Sequence, residues 1–302
     1  MREIVILSGK GGTGKTSLTA AFASLAENKV LCDADVDAAD LHLLASPEVQ
    51  QINDFMGGGL AEIKQDLCVQ CGSCVELCRF GAIDPESFEV NSLHCEGCGV
   101  CVDLCPEKAI EFPPQKCGEW FQSASKFGPM IHARLGIAEE NSGKLVSVVR
   151  KAARAYAEEN GHDLILTDGP PGIGCPVIAA LSGATLVVII VEPTVSGIHD
   201  MMRVADLAVH FQLPGMVCIN KYDLNPDLAD SIAAHAAERN MEVIGKIPFD
   251  PVFVQSMVAG QNLFEYGQDS ATLDSVRTIW QKINNAPALH SMGIVNLKTV
   301  IQ

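Results

Sequence analysis

The sequence predicts an α/β protein, a doubly wound, mostly parallel sheet interrupted by a small α+β insert, and three observations lead there. An apolar run at 4–7 is followed by a glycine-rich loop and then a helical pattern, the order expected where a parallel sheet makes its first crossover. Further apolar runs at 30–32, 163–167, 186–191, 216–219 and 243–247 are separated by helical patterns, as buried parallel strands are. Between Cys68 and Cys105 the chain instead carries eight cysteines in two runs, a composition foreign to such a sheet. The expected division is therefore 1–60 and 113–302 for the sheet domain and 61–112 for the insert.

Composition narrows the function classes. The chain holds 21 Lys and Arg against 37 Asp and Glu, a net charge of −16, which opposes binding to phosphate backbones and anionic membrane surfaces. Partners are expected to be proteins, not nucleic acid. No apolar run approaches the roughly 20 uncharged residues that span a bilayer. The chain opens directly into an apolar strand without a basic leader, so a cytoplasmic location is expected, where thiols stay reduced.

The cysteine runs are Cys68, Cys71, Cys74, Cys78 and Cys95, Cys98, Cys101, Cys105, each spaced x2, x2, x3, the second closed by Pro106. Structural zinc also uses Cys-x2-Cys pairs, but four ligands suffice and a regular third cysteine has no part in such a site. The spacing resembles that of the bacterial two-cluster ferredoxins. There three cysteines of each run hold one [4Fe-4S] cluster and the fourth crosses to the other, which implies Cys68, Cys71, Cys74 and Cys105 for one and Cys95, Cys98, Cys101 and Cys78 for the second. Residues 62–111 hold ten acidic side chains against Lys64, Arg79 and Lys108. Such an acidic rim either steers docking to a basic redox partner or solvates a small module.

The glycine-rich loop reads Ser8-Gly9-Lys10-Gly11-Gly12-Thr13-Gly14-Lys15-Thr16, with Ser17 opening the helical pattern. Glycines let successive N–H groups face phosphate oxygens, and the helix dipole favours the same anion. In a P-loop NTPase, Lys15 reaches the β and γ phosphates and the Thr16 hydroxyl ligates Mg²⁺. Carboxylates then gather where strands end: Asp33, Asp35 and Asp37 after 30–32, and Asp168 after 163–167, followed by Gly169-Pro170-Pro171-Gly172. The strand ends of an open α/β sheet are where its ligands sit.

Lys10, directly before the paired glycines, resembles the second lysine of the deviant P-loop in the MinD, ParA, Mrp and nitrogenase iron-protein superfamily. That resemblance implies a dimer sandwiching two nucleotides, with Lys10 reaching the partner's phosphates. It also implies that Asp35 orients the attacking water, that Asp33 and Asp168 lie on the Mg²⁺ side, and that 168–172 responds to the γ-phosphate. The Asn220-Lys221-Tyr222-Asp223 stretch copies a guanine-reading loop, which raises GTP. The resemblance instead puts an adenine-contacting Asn at Asn220, with Pro248 and Asp250 over the base, and so favours ATP or ADP.

Of the other cysteines, Cys32 and Cys218 lie in apolar runs and are expected in the core, and Cys117 has no readable role. Cys175 stands where the nitrogenase iron-protein branch carries a bridging-cluster ligand; capping of a helix beginning at Pro176 is the alternative. Asp37 and Asp40 are expected as helix-cap or surface groups. A helical pattern to Ala157 carries Arg150, Lys151 and Arg154 on an expected solvent face, and His199 and His210 belong to a helix after Thr194. No Cys-x-x-Cys pair follows Cys218, unlike the cluster carriers of the superfamily, and 291–302 is not a basic amphipathic helix, so no stable membrane anchor is expected.

Over its whole length the chain resembles MinD-superfamily ATPases with an inserted ferredoxin domain, the cobyrinic acid synthase-like nucleotide-binding proteins that include the paired ATPases of the orange protein complex. The resemblance implies a homodimer, or a heterodimer with a paralogous ATPase. In it, ATP turnover controls electron transfer or metal-cluster assembly through the two clusters toward a redox or metal-cluster protein partner. The alternative is a spatial-organisation ATPase with structural or redox-sensing clusters.

Overall fold

The computed structural model describes residues 1–136, 142–267 and 270–290; the tail at 291–302 and Asn141 lie outside the described residues. Eleven strands follow in chain order: β1 (Arg2–Ser8), β2 (Lys29–Asp33), β3 (Glu48–Gly59), β4 (Glu62–Ile63), β5 (Ile110–Glu111), β6 (Pro114–Ser125), β7 (Gly128–Leu135), β8 (Leu164–Pro171), β9 (Leu186–Val191), β10 (Gly215–Asn220) and β11 (Glu242–Ile247). Nine form one sheet in the order β11-β10-β9-β1-β8-β2-β7-β6-β3, and β4 pairs with β5. β1 lies parallel to both β8 and β9, β2 to both β8 and β7, and β10 to both β9 and β11.

The central strands are apolar on both faces. Ile4 to Leu7 and every residue of β9 are buried, which is why they read as continuous apolar runs rather than as alternation. The helix Lys15–Leu25 buries Leu18 and Phe22, and Phe22 stacks on Trp280 of the helix Ala271–Asn284 with ring centroids 5.6 Å apart. Cys32 and Cys218 are buried in this core; burial pushes the Cys218 thiol up to about 12 and raises Cys32 likewise. The later helices start on side-chain caps: Thr194 accepts from the N–H of Gly197, Asn225 from Leu228 and Ser270 from Leu273. Such caps each contribute about 1 kcal/mol.

Three strands were not expected from the sequence. β3 buries only Phe55 and Gly57 of its twelve residues, so it shows neither an apolar run nor alternation. β6 and β7 are joined by Lys126 and Phe127 alone, with Gly128 at φ +114° and the Ser125 hydroxyl donating to its carbonyl at 2.6 Å. No Asn-Gly or Asp-Gly pair marks that hairpin.

The expectation of a solvent-facing Arg150 is corrected. It is buried on the helix Ser142–Glu159, its guanidinium spanning Glu3 at 2.7 Å to each carboxylate oxygen and donating to the carbonyls of Ala179 and Ser182. Thr167 also donates to Glu3, at 3.0 Å. A desolvated ion pair persists only when its remaining donors and acceptors are met, as here. Cys175 is likewise no cap: it is the first residue of the helix Cys175–Leu181, whose cap is Gly174.

The chain divides into two compact units, one of Met1–Gln51, Phe121–Ala133 and Ser142–Gln302, the other of Ile52–Trp120 and Arg134–Asn141. Among the described residues no helix is long and apolar enough to cross a membrane. In the first unit His132 pairs Nε2 with the Ser123 hydroxyl at 2.9 Å and stacks on Phe121. Burial, with His42 nearby, lowers its pKa from 6.5 to about 4. The unfolded chain takes up that proton first, so stability falls as pH drops from about 6.5 toward 4. His132→Gln should remove this component, read as the difference between the two proteins' denaturation midpoints across that window.

Candidate functional site

The site grows out of the end of β1. After Ser8 the chain turns through Gly9 to Gly14 and enters the helix at Lys15. Gly14 sits at φ +89°, and a Cβ there would lie 2.6 Å from the Asn220 amide nitrogen; one at Gly9 would lie 2.2 Å from Cβ of Asp200. The loop is held from β10: the Asn220 amide donates to the Thr13 carbonyl at 2.8 Å and the Lys221 ammonium to the Gly12 carbonyl at 2.9 Å. Around Gly11 and Gly12 a Cβ would meet nothing within 4 Å, so this arc of backbone faces open space.

Beside the loop, parallel pairing aligns Asp33 of β2 with Asp168 of β8. The buried Lys15 ammonium lies 2.9 Å from Asp168 and 3.2 Å from Asp35. Thr16 donates to the second Asp168 oxygen at 2.9 Å, and Thr19 to the first at 2.8 Å. Burial alone depresses the Lys15 ammonium, but Asp168, Asp35 and Asp33 outweigh it and hold its pKa above the usual lysine value. Burial and the neighbouring Asp168 push Asp33 well up, and burial pushes Asp35 up against the pull of Lys15. Asp33 Oδ2, Asp35 Oδ1 and the Thr13 hydroxyl are buried without a hydrogen-bond partner among the described residues. Three carboxylates against one ammonium, with unmet oxygens on Asp33 and Asp35, leave an excess of negative charge of the kind a hard divalent cation offsets.

The remaining sequence-singled residues fall around this centre. Ser17 is buried in the first helical turn. Gly169 lies within β8, where a Cβ would sit 2.4 Å from the Leu7 side chain, so close strand packing also requires a glycine there. The Asp223 carboxylate accepts from the Phe249 N–H at 2.6 Å, joining the 220–223 and 248–250 segments beside Pro248. Asp250 itself is occupied by the Val252 N–H and the Thr272 hydroxyl. Lys10 does not join the carboxylate centre: its ammonium lies 2.6 Å from Glu192.

The eight cysteines lie in the second unit, whose two halves repeat at an offset of 27 positions, Cys68 to Cys95 and Cys78 to Cys105. The positive-φ residues repeat with it, Gln70 with Gly97, Gly72 with Gly99 and Gly81 with Lys108. So do the bonds: Ala82 N–H to Cys78 Sγ matches Ala109 N–H to Cys105 Sγ, and Lys64 N–H to Ala109 O matches Asn91 N–H to Ala82 O. Cys68, Cys71, Cys74 and Cys105 line one small cavity, walled also by Ile63, Phe88 and Ile110. Burial, then the nearby Cys95 and Cys98, push the Cys101 thiol up; burial and more weakly Cys68 and Cys71 act on Cys74. Among the described residues no three His, Cys, Asp or Glu converge on a point that would hold one metal ion.

A model of the CobQ/CobB/MinD/ParA nucleotide-binding domain matches residues 4–263. The chain belongs to this family. It is 31% identical over 284 residues to MJ0578 of Methanocaldococcus jannaschii, covering 93% of this chain and 96% of that protein. It is 24% identical over 292 residues to MJ0547 of the same organism, described as an ATP-binding protein, covering 94% and 88%. The septum site-determining protein MinD of Pyrococcus horikoshii, solved with Mg-ADP, shares the fold at a TM-score of 0.55 and 18% identity, covering 96% of this chain and 99% of that one.

Within this CobQ/CobB/MinD/ParA-family fold, Glu192, Lys221 and Thr19 join the site although no sequence motif assigns them to it. Glu192 carried a signal, being the first charged residue after the wholly apolar β9, at the sheet edge where ligands gather. Thr19 had none, since its contact with Asp168 is set by the packing of one helix on β8. Relieving the buried charge excess should stabilise the empty protein. Asp33→Asn is expected to raise unfolding free energy by about 1 to 2 kcal/mol at pH 8, while weakening Mg²⁺-dependent nucleotide binding, both measured by denaturation with and without Mg²⁺ and nucleotide.

Proposed function

We propose that this protein is a Mg-ATP-dependent dimeric ATPase whose nucleotide state controls electron transfer or metal-cluster assembly through two [4Fe-4S] clusters in its second unit. The nucleotide half rests on family membership and on the Lys15, Thr16, Asp33, Asp35 and Asp168 constellation. The cluster half rests on one observation: Cys68, Cys71, Cys74 and Cys105, drawn from both runs, line a single cavity inside a repeated fold. One ion needs its thiolates about 2.3 Å from a common point, whereas thiolates spaced around a cavity suit the corners of a larger cluster. Cys95, Cys98, Cys101 and Cys78 would serve the second site by the repeat. When bound, such clusters would supply one-electron carriers.

In this reading the 9–14 backbone and the N-terminus of the Lys15–Leu25 helix hold the phosphate chain, and Lys15 turns from Asp35 and Asp168 toward its β and γ oxygens. Thr16, Asp33 and Asp168 would hold Mg²⁺, which would offset phosphate charge. Asp35, released from Lys15, orients the attacking water. Asn220, Pro248 and Asp250 flank the adenine. Lys10 reaches the phosphates of the second subunit, whether an identical chain or a paralogue. The coupling route is covalent: after Asp35 the chain leaves the first unit within β3, re-enters it within β6, leaves again at the end of β7 and returns at Ser142, before Asp168. Hydrolysis would therefore bear on the connections of the cysteine-bearing unit, and through it on a redox or metal-cluster protein partner.

Anaerobically prepared protein is expected to carry about eight iron atoms per chain, and replacing Cys68 with Ser should lower that count without loss of nucleotide binding. Lys15→Ala should abolish nucleotide binding and leave the iron in place. Reduction potentials measured with and without Mg-ATP decide the coupling. Unchanged potentials, together with ATP turnover indifferent to reduction, would leave a spatial-organisation ATPase with structural clusters.

A further inference from the structure

Glu192 is the first residue beyond β9, at the sheet edge that carries the nucleotide site, and its side chain is only 14% exposed. One carboxylate oxygen lies 2.6 Å from the Lys10 ammonium and the other 3.0 Å from Lys221. Burial by itself raises the Glu192 carboxyl, but the two lysines outweigh it and hold it below the usual range. Lys10 has further acceptors nearby in the Thr194 hydroxyl at 3.3 Å and the Ser196 hydroxyl at 3.5 Å. Among the described residues, the partners of its ammonium thus come from the short segment 192–196 of its own chain. Its side chain nonetheless remains 33% exposed, within reach of an incoming anion.

We propose that Glu192 is a positioning residue that parks Lys10 in cis until the phosphates of a second subunit compete for it. This rests on the reading of Lys10 as a residue that acts across a dimer. The physical logic lies in the shared carboxylate. Stranding a buried charge costs several kcal/mol, so a lone Glu–Lys pair would resist opening. Here Lys221 keeps its own oxygen of Glu192 and its bond to the Gly12 carbonyl when Lys10 leaves. Lys10 gives up one carboxylate and gains a more highly charged phosphate chain. The exchange needs no rearrangement of the loop, because Lys221 continues to hold it. Without the parking contact, a mobile cation at the rim would be free to pair with any anion, including the chain's own nucleotide.

Parking is read directly from the acetylation rate of Lys10 in nucleotide-free protein, followed by mass spectrometry with acetic anhydride. Glu192→Gln keeps the shape and removes the charge, and should speed Lys10 modification about tenfold, as loss of a charge-assisted hydrogen bond implies; Glu192→Asp should restore much of the protection. Lys221→Ala serves as the loosening control, since it frees the loop while leaving Glu192 to Lys10 alone. Equal Lys10 rates in wild type and Glu192→Gln, or equal acceleration in Lys221→Ala, overturns the proposal. Sedimentation supplies the second readout: Glu192→Gln should form the ATP-dependent dimer at lower protein concentration, whereas a residue needed only for stability would weaken it, and that weakening also overturns the proposal. If the labelling result holds but wild type forms no dimer with ATP, parking stands and the dimeric ATPase reading is what fails.

Discussion

The structure turns on one buried ammonium. Lys15 enters from the first turn of its helix and meets Asp168 and Asp35, with Asp33 close enough to add to the field. No single element could assemble this. Parallel pairing puts the ends of β1, β2 and β8 at one edge, and the crossovers place a helix N-terminus beside them. The balance there is wrong for a resting core: carboxylates exceed cations, and three buried oxygens lack partners among the described residues. Such a deficit is tolerated because a large α/β core surrounds it, and it marks the spot where a cationic and an anionic ligand together would complete the electrostatics.

Glu192 extends the same charge economy outward. A fourth carboxylate, less buried than Asp168, holds Lys10 and Lys221 on either side of the loop, while Asn220 fixes the loop from the next strand. The loop is thus backed by rigid strand ends, and its own glycines are confined where Asp200 and Asn220 approach it. Rigidity here and openness around Gly11 and Gly12 are complementary: the backbone is preorganised before any phosphate arrives.

The cysteine-bearing unit follows another physical regime. Its buried apolar side chains are few, Phe55, Ala61, Ala82, Ile83, Phe88, Ala109 and Ile110 among them, while Val69 and Leu93 are 61% and 88% exposed. A unit of this size with so thin a core gains much of its stability from whatever joins its segments. The repeated turns draw cysteines from distant segments to one cavity. Under the proposed function, cluster binding and folding of this unit are therefore the same event.

Motif chemistry was legible without coordinates because it is local: Gly9 to Ser17, the Asp33–Asp35 and Asp168 strand ends, and the spacing within each cysteine run are set by neighbours in the chain. The same holds for the central strands, whose two buried faces leave continuous apolar runs. The rest depended on contacts between distant segments. β3 is largely exposed and β6 mostly half-buried with no regular alternation, so no periodicity announced them. Arg150 read as a surface cation because its carboxylate partner lies 147 positions away. Glu192 and Lys221 acquired meaning only when the sheet brought them beside Lys10 and Gly12. Short-range spacing determined the chemistry available to this protein, and tertiary packing decided which charges meet, since electrostatic pairing depends on distance in space rather than along the chain.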